Sequence, residues 1–271
     1  MTQNHNTVSS RFYIVNKKIY AYYIMKIIIF DLDETIGFFG EIYTFFCAIK
    51  YYFSVYSNAE YKDADVIGYL IDIFPELLRP GILNILHNLA QERITNGSSF
   101  YIYMYTSNRL HNSWANNIKN YLNNKTRYNI FHEVVFNGTP KKHKLVHNKS
   151  IEDFSKQSKI ETNNDFCFID NNFHPYMIKP NIHYIHLNHY ICYISINELI
   201  HRTLMSTTLG KCISYKTIFI KEIKTYYKNV FSKRGFNYLN SDRKKTNEET
   251  SLEKQISVEL YEHIISFLHS K

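Results

Sequence analysis

The chain has 271 residues, enough for one large domain with appendages, and 45% of them are apolar, which supplies a sizeable core. No stretch reaches the roughly 18 to 20 consecutive apolar residues of a membrane span, and the first 25 residues lack a secretory signal's apolar centre and small-residue cleavage site. The net charge of +8 is concentrated between Lys211 and Lys245, where ten Lys/Arg face two acids, Glu222 and Asp242.

In chain order, residues 1–25 read as an N-terminal extension that ends on Met25. The stretch KIIIFDLDETIGFFG (26–40) then drives an apolar strand into Asp31, Asp33 and Glu34. Residues 37–77 are rich in aromatics and have a helical pattern, an insertion expected to act as a cap. In LRPGILNILHNLAQE (78–92), Ile82, Ile85, Leu86 and Leu89 fall on one helical face, with Pro80 in the first turn. FYIYMYT (100–106) reads as a second strand, and 107–124 as a helix with a Leu110, Trp114, Ile118, Tyr121 and Leu122 stripe. EVVFNG (133–138), DFCFID (165–170) and IHYIHL (182–187) are further short runs of strand character. Strands alternating with helices predict an α/β fold, with a mainly parallel sheet covered on both faces. Residues 200–271 read as a basic, mostly helical C-terminal extension. Within it NSDRKKTNEETS (240–251) has the composition of a linker, and the last twenty residues have an amphipathic helical pattern.

The strand ends carry the chemistry. In open α/β sheets ligands bind beyond the carboxyl ends of the strands. Asp31 and Asp33 arrive there together, and two close carboxylates repel each other unless a cation separates them. Mg²⁺ suits one or two carboxylates combined with phosphate and water. Such a pair can divide attack on phosphorus and proton transfer between its members. Thr106 and Ser107 end the second strand, where a hydroxyl and helix N-terminal amides make an anion site; Thr106, Ser107 or Asn108 can equally serve as a plain N-cap. Lys149 precedes the helical stretch SIEDF, and the strand FCFID ends on Asp170 with Asn171 next. His183, His186 and His189 recur in a strand region, but three-residue spacing divides them between faces, which argues against zinc. The four cysteines, Cys47, Cys167, Cys192 and Cys212, form no C-x-x-C pair, which favours a reducing, intracellular compartment.

Taken in order, FDLDETI, LRPGILNIL, YTSN, Lys149 and FIDNNFHP resemble the haloacid dehalogenase superfamily of phosphatases. Within it they are most similar to the NLI-interacting-factor-like branch, related to phosphatases of the RNA polymerase II C-terminal domain. The wording HNKSIEDF and FCFIDNNFHPYM is similar to members encoded by large DNA viruses of protists; for such a member the place of action would be host cytoplasm or nucleus. The resemblance covers roughly 26–190 and implies a Rossmann-like phosphatase domain over 26–199. It implies a Mg²⁺-dependent phosphomonoesterase working through an aspartyl-phosphate, with a phosphoserine or phosphothreonine protein as substrate. By the same resemblance Asp31 would be the nucleophile and Asp33 the general acid/base. Thr106 and Lys149 would hold the phosphoryl oxygens, and Thr35 would buttress the loop. The metal would be held by Asp31, the backbone carbonyl of Asp33 and Asp170, with Asn171 nearby, directly or through water. Glu34 is expected to point away. Lys141, Lys142 or Lys144 are alternatives to Lys149, and Asn-Phe-His-Pro replaces the branch's Asn-Ser-Pro, which touches the substrate more than the chemistry. Two other functions stay open: a nucleotide or nucleic-acid-end phosphatase, to which the basic 211–245 segment would contribute, and a non-catalytic binding module.

Overall fold

A computed structural model of the chain describes residues 10–15, 18–57, 61–95, 97, 99–108, 112–138, 148–234 and 243–270, with the side chains of those from residue 24 onward except 231–234. Two strands, β1 (Ser10–Val15) and β2 (Lys18–Tyr23), pair antiparallel within the segment expected as an extension. The main sheet has five parallel strands: β3 (Lys26–Phe30), β4 (Phe100–Thr106), β5 (Glu133–Phe136), β6 (Asp165–Asp170) and β7 (Ile182–His186). Their order across the sheet is β5-β4-β3-β6-β7, so the fold is α/β and Rossmann-like. The chain leaves the central β3 on one side and later returns to its other side. That reversal puts the crevice for a ligand at the carboxyl ends of β3, β4 and β6.

Alternation along each strand sorts the core. Ile28 and Phe30, Ile102 and Met104, and Cys167 and Ile169 face one side. Ile27 and Ile29, Tyr103 and Tyr105, and Phe166 and Phe168 face the other. The two faces are covered very unequally. The second carries α5 (Ile151–Ser158) and the short turn Pro175–Met177. The first is buried under α1 (Gly40–Tyr56), α2 (Asp63–Ile73), α3 (Ile82–Thr95), α4 (Asn112–Thr126), α6 (Ile196–Met205), α7 (Lys216–Arg234) and α8 (Asn247–His269).

The expected cap and the expected extension are both built into that thick side. In the 37–77 insertion Phe39, Phe45, Ile49 and Tyr52 are buried in the main core; α1 packs on α7, and α2 on α4 and α6. From the 200–271 region, Phe219, Ile223, Leu260, Ile264 and Phe267 join the same core. Residue 199 lies within α6, and residues on both sides of it contribute to this core. The linker reading of 240–251 is also revised: α8 begins at Asn247, because Thr246 and Glu249 form a reciprocal capping box.

Polar contacts fasten α8 to the start of β3 and to the loop ahead of α3. The Lys26 ammonium, at the start of β3, donates to the Phe267 and Leu268 carbonyls at 2.9 Å each, a cation at the negative end of a helix. Ser257 donates its hydroxyl to the Pro80 carbonyl. Arg79 pairs with Glu253 at 2.9 Å. Gly81, with φ of +81°, is required here, because a Cβ would lie 3.0 Å from that of Ser257.

Candidate functional site

Asp31 follows β3 directly and its N–H donates to the Ile169 carbonyl on β6, which sets the two strand ends side by side. Thr106 ends β4 and Asp170 ends β6. Lys149 stands just ahead of α5, whose N-cap Ser150 accepts from the Asp153 N–H at 3.1 Å. Asp31, Thr106, Lys149, Asp170 and Asn171 are all buried. The Lys149 ammonium bridges two carboxylates: it bonds to Asp31 Oδ1 and, at 2.8 Å, to Asp170 Oδ2. Tyr105 and Phe168 flank it, with ring centroids at 5.3 and 5.9 Å. Lys141, Lys142 and Lys144 lie outside the described residues.

Two positioning groups were not singled out in the sequence. His174 accepts the Lys149 backbone N–H on Nδ1 at 3.1 Å, so a neutral ring carries its proton on Nε2. That nitrogen lies 3.2 Å from Asp170 Oδ2, and the Asn172 N–H holds Asp170 Oδ1 at 2.8 Å. Asn108, an N-cap candidate in the sequence, is the second. Its N–H donates to Thr106 Oγ1 at 3.0 Å and its amide donates to Asp33 Oδ2 at 2.7 Å. With Thr106 Oγ1 accepting, its hydroxyl proton is left to donate. Ser107 and Asn108 are not helical, and the helix expected after Thr106 is described over Asn112–Thr126. Ser107 is exposed and accepts from the Asn137 amide.

Around the loop after Asp33, Thr35 donates its hydroxyl to Asn171 Oδ1 at 3.0 Å and accepts the Asn171 N–H at 3.1 Å. The Asn171 amide nitrogen lies 3.3 Å from Glu34 Oε2 and 2.8 Å from His189 Nδ1. The Asn171 side chain thus braces two loops, with Oδ1 accepting from Thr35 and the amide nitrogen against Glu34 and His189. Glu34 packs on Asn171 and His189. Its φ of +63° is a left-handed conformation uncommon for a side-chain-bearing residue. The Glu34 carbonyl is held by Arg79 Nη2 at 2.8 Å and the Tyr190 N–H at 2.9 Å. Arg79 Nε reaches the Thr35 carbonyl at 2.8 Å. Gly37 lets the loop close, since a Cβ there would meet the Leu77 carbonyl oxygen at 2.5 Å. The three histidines go separate ways: His183 stacks near Phe267, His186 meets the Asn171 carbonyl and His189 pairs with Glu34.

Three carboxylates against one ammonium make the electrostatics uneven. Burial pushes Asp31 up to about 7, against the pull of Lys149 and with help from Asp170 and Asp33. Burial likewise pushes Asp33 up to about 6, opposed by the Asn108 amide and by Lys149. Burial also works against Asp170, but Lys149, His174 and the Asn172 N–H together hold it below the usual range. For Lys149, burial is outweighed by Asp31 and Asp170, and it stays protonated. Asp33 Oδ1 is buried with no hydrogen-bond partner among the described residues.

No group of three or more His, Cys, Asp or Glu side chains among the described residues forms a metal cage. The donors still fit Mg²⁺, which needs one or two carboxylates and keeps its waters. Asp31 and Asp170 supply the carboxylates, and the excess negative charge asks for a cation. This predicts a pH-dependent stabilisation. Between the ordinary 3.8 and about 7 the folded chain binds more protons at Asp31 than the unfolded chain, so this group's contribution to stability falls as pH rises through that window. A divalent cation takes the deprotonated forms. Adding MgCl₂ is therefore expected to raise Tm more at about pH 8 than at about pH 5.5, read by differential scanning fluorimetry. An equal rise at both pH values contradicts binding at these carboxylates.

No family model matches the chain, and neither a curated protein nor a solved structure is significantly similar to it. The family resemblance therefore rests on the motif residues themselves.

Proposed function

We propose that the chain is a Mg²⁺-dependent phosphomonoesterase that forms an aspartyl-phosphate on Asp31. The observation that carries this reading is the Lys149 ammonium set between Asp31 and Asp170, at the ends of two adjacent parallel strands. Lys149 engages Asp31 Oδ1, so Oδ2 is the oxygen left to attack phosphorus. As that bond forms and the ester P–O bond breaks, Asp33 gives its proton to the leaving oxygen. An acid raised to about 6 is suited to this near neutral pH. Asp33 then takes a proton from the water that attacks phosphorus and frees Asp31. The Thr106 hydroxyl and Lys149 donate to the phosphoryl oxygens, the preorganised donors a phosphoryl transition state requires. Bound Mg²⁺ would neutralise the remaining charge on phosphate and carboxylates.

Hydrolysis of p-nitrophenyl phosphate in Mg²⁺, and its loss in EDTA, tests the chemistry. Asp33→Asn should cost about 10²–10⁴ in rate. Rates unchanged by EDTA and by the substitution would leave a binding module that keeps the fold without the chemistry.

The substrate class we propose is a phosphoserine or phosphothreonine protein, following the branch the motifs resemble. One observation favours nucleic-acid ends instead. On α7, Lys221, Lys224 and Lys228 are exposed at a spacing that puts them along one stripe, with Lys211 and Lys216 exposed before it. Rates on phosphopeptides compared with 3′- and 5′-phosphorylated oligonucleotides decide between the two. On the second reading, Lys221→Ala/Lys224→Ala/Lys228→Ala weakens oligonucleotide binding and flattens its salt dependence. Among the described residues no helix is long and apolar enough to cross a membrane.

A further inference from the structure

A cavity of about 760 Å³ opens behind the loop that follows Asp33, between the turn Pro75–Leu77, residues 190–198 and the start of α8. None of Asp31, Asp33, Thr106, Lys149 or Asp170 lines it. Its size is within the range of small-molecule sites.

Most charges around it are already paired. Arg202 takes Glu76 with both terminal nitrogens, Arg243 takes Glu249 at 2.7 Å, and Glu253 Oε2 takes Arg79. Lys245 is paired more loosely: on a half-buried side chain, its ammonium forms an ion pair with Glu253 but has no acceptor at hydrogen-bond distance among the described residues. Glu253 Oε1 is 3.6 Å away, and the Tyr190 ring centroid lies 4.0 Å below it. An ammonium has three protons to donate, and burying it without acceptors is costly unless something supplies them. Lys244, which is exposed, and Arg243, stacked on Tyr193 at 4.6 Å, stand beside it on the same wall.

We infer that this cavity binds a small molecule with two or more negative charges, anchored by the Lys245 ammonium and flanked by Lys244 and Arg243. Phosphate groups and carboxylates share the required chemistry. The inference is independent of the phosphatase reading, since no residue of that site takes part.

Isothermal titration calorimetry of the full chain in EDTA, at low ionic strength, tests it with pyrophosphate and citrate as probes. Saturable binding of at least one probe is expected, and which one binds identifies phosphate or carboxylate as the preferred group. Lys245→Met should weaken it at least about tenfold, and Lys245→Arg should restore it. Lys224→Met, on the exposed face of α7, should leave it unchanged. Should Lys245→Met lose the fold, Lys244→Met is expected to reduce the affinity too, and an unchanged affinity there overturns the site. No saturable binding of either probe, equal affinity in Lys245→Met and the parent, or an equal loss in Lys224→Met also overturns it.

Discussion

Asp31→Asn is expected to remove phosphatase turnover altogether while the chain stays folded. The amide matches the carboxylate in shape but cannot form the acyl-phosphate, so the loss should exceed the roughly 10²–10⁴ expected for an acid/base residue. Folding should survive for two reasons. Lys149 keeps Asp170 at 2.8 Å, and the substitution removes a carboxylate that burial already disfavours in its charged form. Steady-state rates on p-nitrophenyl phosphate, with circular dichroism as the folding control, check both halves. A variant that keeps the parent's rate would remove Asp31 from the chemistry.

Arg79→Met is expected to be the most damaging change outside the strand ends. Arg79 is fully buried, and its guanidinium serves the Glu34, Thr35 and Asn188 carbonyls as well as Glu253. Removing one partner of a buried pair typically costs about 3–5 kcal/mol, because the other is left unpaired. Against a usual total of about 5–15 kcal/mol this is a large share. Urea denaturation should show a lower midpoint at an unchanged slope. Arg79→Lys should recover only part of the loss, since an ammonium cannot span acceptors arranged for a planar fork. Activity should fall in both variants, because Arg79 holds the peptides immediately after Asp33. Full stability in Arg79→Met would show that the four contacts add little.

Much of the sheet and part of the site can be read in the sequence, for a physical reason. Buried parallel strands are short apolar runs, and charge at the end of such a run stands out, so the strands, Asp31, Asp33 and Asp170 are visible as local anomalies, whereas Lys149, in a polar loop, is picked out by the order of the motifs alone. What the sequence hides is which distant surfaces meet. Arg79 looks like an ordinary polar residue before a helix; its burial depends on Glu253, 174 positions later. The aromatics of 37–77 fit an exposed cap as well as a core until α7 is seen against α1. His174 and Asn108 act through contacts that no periodicity encodes. Asn171, placed near the metal by resemblance, also braces two loops through Thr35, Glu34 and His189, contacts that the sequence does not announce.

The clasp between Lys26 and the end of α8 has a bearing on how the protein is made. Lys26 begins the central strand, and the carbonyls it holds belong to residues 241 and 242 positions downstream. During synthesis β3 emerges long before α8, which packs on α3 and β7, and long-range closures of this kind are slow and leave apolar surface open in the meantime. The apolar surface that β7 and α3 offer to α8 therefore stays open until α8 is made, so a chain cut short before α8 is expected to aggregate where the full chain folds.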